Sequence, residues 1–115
     1  MKNVISAKYF NSGGGCITYY GQLENGKYFV LGLNHLMILN ADYGDTLTDE
    51  FYEKTGGDTY DWEKEHTLEQ YSFPTSEKYP NDIVTAIFEK LKETYPNRND
   101  WDDLCNKELL RDKEW

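Results

Sequence analysis

At 115 residues, with 21 Asp and Glu against 12 Lys and Arg and a formal net charge of −9, the chain fits a single domain spanning residues 1–115. That length buries a core without disulfide or metal staples. A pI near 4.6 excludes direct binding to nucleic acid or anionic membrane, which reward clustered Lys and Arg, and points instead to a basic protein partner.

Val4 to Phe10 reads as a first strand, and Asn11-Ser12-Gly13-Gly14-Gly15 as its connection to a hairpin. In that hairpin Ile17 to Leu23 pairs with Lys27 to Leu33 around Asn25-Gly26, the favoured dipeptide for a two-residue type I′ turn. This register places Glu24 opposite Lys27 and Leu23 opposite Tyr28, a charge pair followed by an apolar pair. Leu36 to Asn40 reads as a fourth strand after a turn near Asn34 and His35, which gives an antiparallel meander. Between Asp42 and Gly57, Asp49 and Glu53 lie four apart as on one helix face, and Gly56-Gly57 ends the short helical turn they suggest.

From Tyr60 the pattern alternates with period two: Tyr60, Trp62, His66 and Leu68 on one side, Asp61, Glu63, Glu65 and Glu69 on the other. This predicts a one-sided acidic strand, with Lys64 blunting its edge. Beyond Pro74 and Pro80, Asn81 offers an N-cap to a helix in which Ile83, Val84, Ile87, Phe88 and Leu91 form one apolar stripe. Tyr95-Pro96 ends it, and Asn99 caps a second helix with Asp100, Asp102 and Asp103 in its first turn and Trp101, Leu104, Cys105 and Leu109 on its buried side. The expected fold is α+β: an antiparallel sheet packed with two C-terminal helices.

No segment approaches the roughly 20 apolar residues of a membrane span, and Met1 to Ile5 lacks a signal-peptide core. A soluble, cytoplasmic protein with Cys16 and Cys105 as reduced thiols is expected. The tract Ser12-Gly13-Gly14-Gly15 leads into a strand rather than a helix and lacks a Lys-Ser/Thr pair, so it reads as a strand connection and not a phosphate loop. Cys16, with His35 and His66 as candidate bases, is the one constellation that suits nucleophilic catalysis, and it defines a thiol-enzyme alternative. In the segment beginning at Asn40 glycine falls fifth rather than sixth and Phe51 stands twelfth, which excludes an EF-hand; a looser oxygen site from Asp42, Asp45 and Asp49 stays open. No cofactor is expected.

The informative feature is the distribution of charge. Ten of the acidic residues fall within positions 42–69, where only Lys54 and Lys64 oppose them, so this belt carries −8 (2 minus 10) of the total −9. Tyr43, Phe51, Tyr52, Tyr60 and Trp62 interleave with the carboxylates, which sets the belt apart from a disordered acidic tail. Carboxylates on one strand face recur about every 6.6–6.8 Å, roughly twice the phosphate repeat along one DNA strand, so such a row suits a groove built for phosphates. A single acidic, Tyr-rich α+β domain of this size resembles the DNA-mimicking anti-restriction and anti-CRISPR proteins of phages and mobile elements. The resemblance is one of general make-up, and no residue role is carried over from it.

These readings converge on a non-enzymatic protein that binds a basic nuclease or other nucleic-acid-handling protein and occupies its nucleic-acid site. The binding carboxylates are expected to be Asp49, Glu50, Glu53, Asp58, Asp61, Glu63 and Glu65, with Tyr52, Tyr60 and Trp62 as aromatic anchors. A different class competes with this reading: an interaction or immunity-type domain that uses its hairpin edge and tyrosines without DNA mimicry.

Overall fold

The computed structural model describes residues 4–13, 16–32, 35–40, 42, 46–55, 62, 65–72 and 81–111. Five strands form one sheet in the order β1 (Val4–Gly13), β2 (Cys16–Leu23), β3 (Tyr28–Leu31), β4 (His35–Leu39) and β5 (Thr67–Ser72). Every neighbouring pair is antiparallel, so the meander expected from the turn signals is present. The fold is α+β, with helices α1 (Asp49–Thr55), α2 (Asn81–Thr94) and α3 (Trp101–Arg111).

Strands β2, β3 and β4 carry apolar residues on both faces, and the pairing keeps the two sets apart. Tyr19, Leu31 and Leu36 stand in one register row, and Tyr20, Val30 and Met37 in the next. The first row belongs to a core shared with Ile83, Val84, Ile87, Phe88 and Leu91 of α2 and Trp101 of α3. The whole apolar stripe expected of α2 is therefore buried. The second row, with Leu39, packs under Leu47 and Tyr52 at α1. A strand covered on both faces reads as a continuous hydrophobic run, which is why Leu36 to Leu39 shows no alternation.

The hairpin departs from its expected turn. Leu23 and Lys27 close a three-residue loop, with Leu23 N donating to Lys27 O at 2.8 Å and Gly26 N donating to Leu23 O at 3.0 Å. Gly26 has φ +87° and, among the described residues, no non-glycine residue has positive φ, so Asn25 does not meet the type I′ requirement. The backbone takes the alternative of a turn followed by a left-handed glycine, and Asn25 serves it differently: its Oδ1 accepts from Lys27 N at 3.0 Å. The register moves by one residue. Tyr28 then faces Gln22 instead of Leu23, and Leu23 and Tyr28 go to opposite cores.

Other boundaries shift for local reasons. β1 continues through Asn11 to Gly13 instead of ending at Phe10, with register irregularities at Val4/Ser6 and Asn11/Gly13. The acidic strand expected from Tyr60 starts only at Thr67, because Trp62, Glu65 and His66 are helical. Trp62 and His66 stack with ring centroids 4.7 Å apart, and His66 Nδ1 donates to the Trp62 carbonyl at 2.8 Å, an i,i+4 contact that an alternating strand cannot make. Asp100 rather than Asn99 stands at the N-cap of α3, since its carbonyl accepts the first helical bond, from Leu104 N at 3.1 Å. Asp102 and Asp103 occupy the first turn as expected, Leu104 and Cys105 are half-buried, and Glu108 joins Trp101 on the buried side. The Leu109 side chain lies outside the described residues.

Candidate functional site

Helix α1 fixes the first part of the acidic belt. Thr48 caps it: its carbonyl accepts from Tyr52 N at 3.2 Å and its Oγ1 from Phe51 N at 3.2 Å. Asp49 and Glu50 stand in the first turn and Lys54 in the last, which suits the macrodipole. A seven-residue helix does not persist on these local effects alone, so its packing decides. Tyr52 is 0% exposed, against Tyr20 at 4.9 Å and Phe10 at 6.1 Å between ring centroids. Tyr20, itself buried, donates its hydroxyl hydrogen bond to the Asp49 carboxylate.

Among the expected binding residues, Asp49, Glu50, Glu53 and Glu65 are exposed, and Trp62 is half-buried against Phe51 at 5.3 Å. Tyr52 is not a surface anchor as expected; burial makes it the root of α1. Asp58, Tyr60, Asp61 and Glu63 lie outside the described residues. The strand row of Asp61, Glu63 and Glu65 is overturned at Glu65, which is helical. Among the described tyrosines, Tyr19, Tyr20 and Tyr52 are in the cores, and Tyr9, Tyr28 and Tyr95 are half-buried.

Of the alternative chemistries, the side chains of Cys16 and His35 lie outside the described residues. Burial pushes the half-buried Cys105 thiol above its ordinary pKa, the opposite of what a nucleophile needs. Asp42 is exposed, Asp45 lies outside the described residues, and among the described residues no group of three or more His, Cys, Asp or Glu is placed to hold a metal ion. No described helix is long and apolar enough to cross a membrane.

A second feature has no counterpart in the sequence expectations. The turn between α2 and α3 folds back on β1, where Tyr9 meets Tyr95 at 4.9 Å and Trp101 at 5.4 Å, both edge to face. Arg98 places its guanidinium 5.0 Å from the Tyr9 ring centroid and 4.9 Å from that of Trp101. Its Nε and Nη2 both donate to the Asp100 carboxylate, the second at 3.0 Å. The guanidinium holds the Asp100 carboxyl below its ordinary pKa, and Asp100 with Tyr9 holds Arg98 above its own. A carboxyl depressed in the folded state contributes stability above its unfolded pKa and loses it as pH falls through the lowered value. At 41% side-chain exposure for Asp100, solvent screening keeps that contribution small.

Around this ion pair lies an open cleft of about 640 Å³ lined by Tyr9, Thr94, Tyr95, Pro96, Asn97, Arg98, Asn99 and Asp100. Burial, and secondarily the charge of Asp49, raise the Tyr95 hydroxyl pKa. The signal for this site was an arginine between Tyr95 and Trp101 in an interhelix turn, but only tertiary structure brings Tyr9 to it. Comparison with protein-family models, with curated proteins and with solved structures finds no match, so function must be inferred from the residues and geometry of the chain itself.

Proposed function

We propose that the protein is an acidic binding protein, not an enzyme, which inhibits a Lys/Arg-rich nuclease or other nucleic-acid-handling protein by covering its nucleic-acid groove. The observation that carries this reading is the seating of α1: Tyr52 is fully buried and Tyr20 bonds to Asp49, so Glu50 and Glu53 project from a held helix. Carboxylates on a held element steer a basic surface and lose little freedom on docking. Because Glu65 is helical, the reading rests on charge density rather than on a straight row at phosphate-like spacing. The anti-restriction and anti-CRISPR proteins that the chain resembles in make-up give the proposed context, inhibition in the host cytoplasm.

The test compares the wild-type protein with a triple variant, Glu50→Gln, Glu53→Gln and Glu65→Gln, whose exposed positions leave the cores untouched. Nucleases and other basic nucleic-acid-binding proteins are passed over each immobilised protein at about 0.05 M and about 0.5 M salt, with and without duplex DNA. Retention is expected at low salt, with loss at high salt, with competing DNA and in the variant. Retention by the triple variant equal to wild type, or indifference to salt, overturns the proposal.

A further inference from the structure

Edge strand β1 serves the cleft beside Arg98 on one face and α1 on the other: it supplies Tyr9 to the cleft and the neighbouring Phe10 to the ring of Tyr52 beneath α1. Its lining is rich in acceptors and π faces. Asp100 is 41% exposed at its side chain, with each oxygen taking only one bond from Arg98. Asn97 and Asn99 are exposed and carry amide oxygens, and Thr94 spends its hydroxyl proton on Lys90 O at 2.9 Å, which leaves the oxygen to accept. Among the lining residues Arg98 is the only cation, and Asp100 already balances it. An anion would therefore meet no surplus positive charge, whereas a donor-rich cation would meet acceptors and rings.

We propose that this cleft receives an arginine side chain of the basic partner and forms the anchor of the interface whose steering surface is α1. The inference rests on the binding function proposed above and names the chemistry of its anchor. Arg98 is the internal precedent: Tyr9, a wall of the cleft, already holds one guanidinium at 5.0 Å, and the buried Trp101 holds the same group at 4.9 Å. A second, planar and weakly hydrated, stacks on Tyr95 or on Arg98 itself and spreads its fork of donors over Asp100 and the asparagine oxygens. Lysine, a strongly hydrated point charge, gains little from the rings.

The test titrates the isotope-labelled full chain with N-acetyl-arginine methylamide, N-acetyl-lysine methylamide and N-acetyl-glutamine methylamide, and reads chemical shifts at Tyr9, Tyr95, Asn97 and Asn99. Saturable shifts at the cleft are expected with the arginine probe, about tenfold tighter than with the glutamine probe, the ratio that 1.4 kcal/mol of cation–π and charge attraction supplies. Asn97→Arg, at an exposed turn position, fills the cleft with a competing guanidinium and is expected to abolish the saturable response while other shifts stay in place. Equal affinity for the glutamine probe, or a full response in Asn97→Arg, overturns the proposal. The triple variant in Glu50, Glu53 and Glu65 separates the two readings: it is expected to keep the cleft response and lose retention of basic proteins. Loss of the cleft response in that variant overturns the assignment of the arginine to the cleft, whereas unchanged retention overturns only the proposal for α1.

Discussion

Gly21 shows how one residue carries constraints from two strands at once. It stands opposite Ala7 on β1 and Phe29 on β3, and a Cβ built there would overlap the Ser6 carbonyl oxygen and lie 2.9 Å from Phe29 Cε2. A backbone carbonyl within a paired strand cannot swing aside as a side-chain tip can, so the whole β1–β2 ladder would have to move. Gly21→Ala is expected to cost about 2–3 kcal/mol, in the range of core overpacking, and to lower the urea midpoint at constant slope. An unchanged midpoint would show that β1 yields without cost. Gly26 poses the opposite case: nothing lies within 4 Å of its added Cβ, and only its φ of +87° demands glycine. That demand was legible in Asn25-Gly26, whereas the demand on Gly21 arises from a close approach of β1 that no local pattern announces.

At the scale of elements, the segments read correctly are those whose own face repeats identify them. The stripe of α2 is such a case: every one of its five residues is buried, because a 3.6-residue period over 14 residues has no other compact reading. The stretch after Tyr60 misled because Trp62 and His66 satisfy both a period of two and a helical spacing of four. Which of the two forms is decided by stacking of Trp62 on His66 and packing on Phe51, contacts absent from any single-strand pattern. Helix α1 was legible as a turn, but its attachment was not, since that depends on Tyr20 twenty-nine residues earlier in the chain. Tyr20→Phe keeps the ring in its core and removes only the hydroxyl bond to Asp49, a bond to a charged acceptor worth about 1.5–3 kcal/mol at most. The expected result is faster hydrogen exchange at the α1 amides, Tyr52 and Glu53 among them, with a smaller fall in global stability. Exchange at α1 indistinguishable from wild type would mean that Tyr52 alone secures the helix.

Across the whole molecule the charge imbalance acts against the fold that displays it. The protein measures 36 × 31 × 30 Å along its principal axes, close to the screening length of about 30 Å at 0.01 M salt. At that ionic strength each excess carboxylate is felt across the entire domain. At about 0.1 M the screening length falls to roughly 10 Å, and only neighbours within the belt still repel. With a net charge of −9, the thermal midpoint is therefore expected to rise by several degrees as sodium chloride goes from about 0.01 to about 0.1 M, and to rise less steeply beyond. Neutralising Glu50, Glu53 and Glu65 should raise the low-salt midpoint and flatten its salt dependence, because it removes three exposed repelling charges. A midpoint indifferent to salt would mean that the folded state is no more strained by its charges than the unfolded chain. A raised midpoint in the variant, coupled to lost retention of basic proteins, would mean that the acidic face is maintained at the expense of stability, the trade expected where a surface is kept for binding.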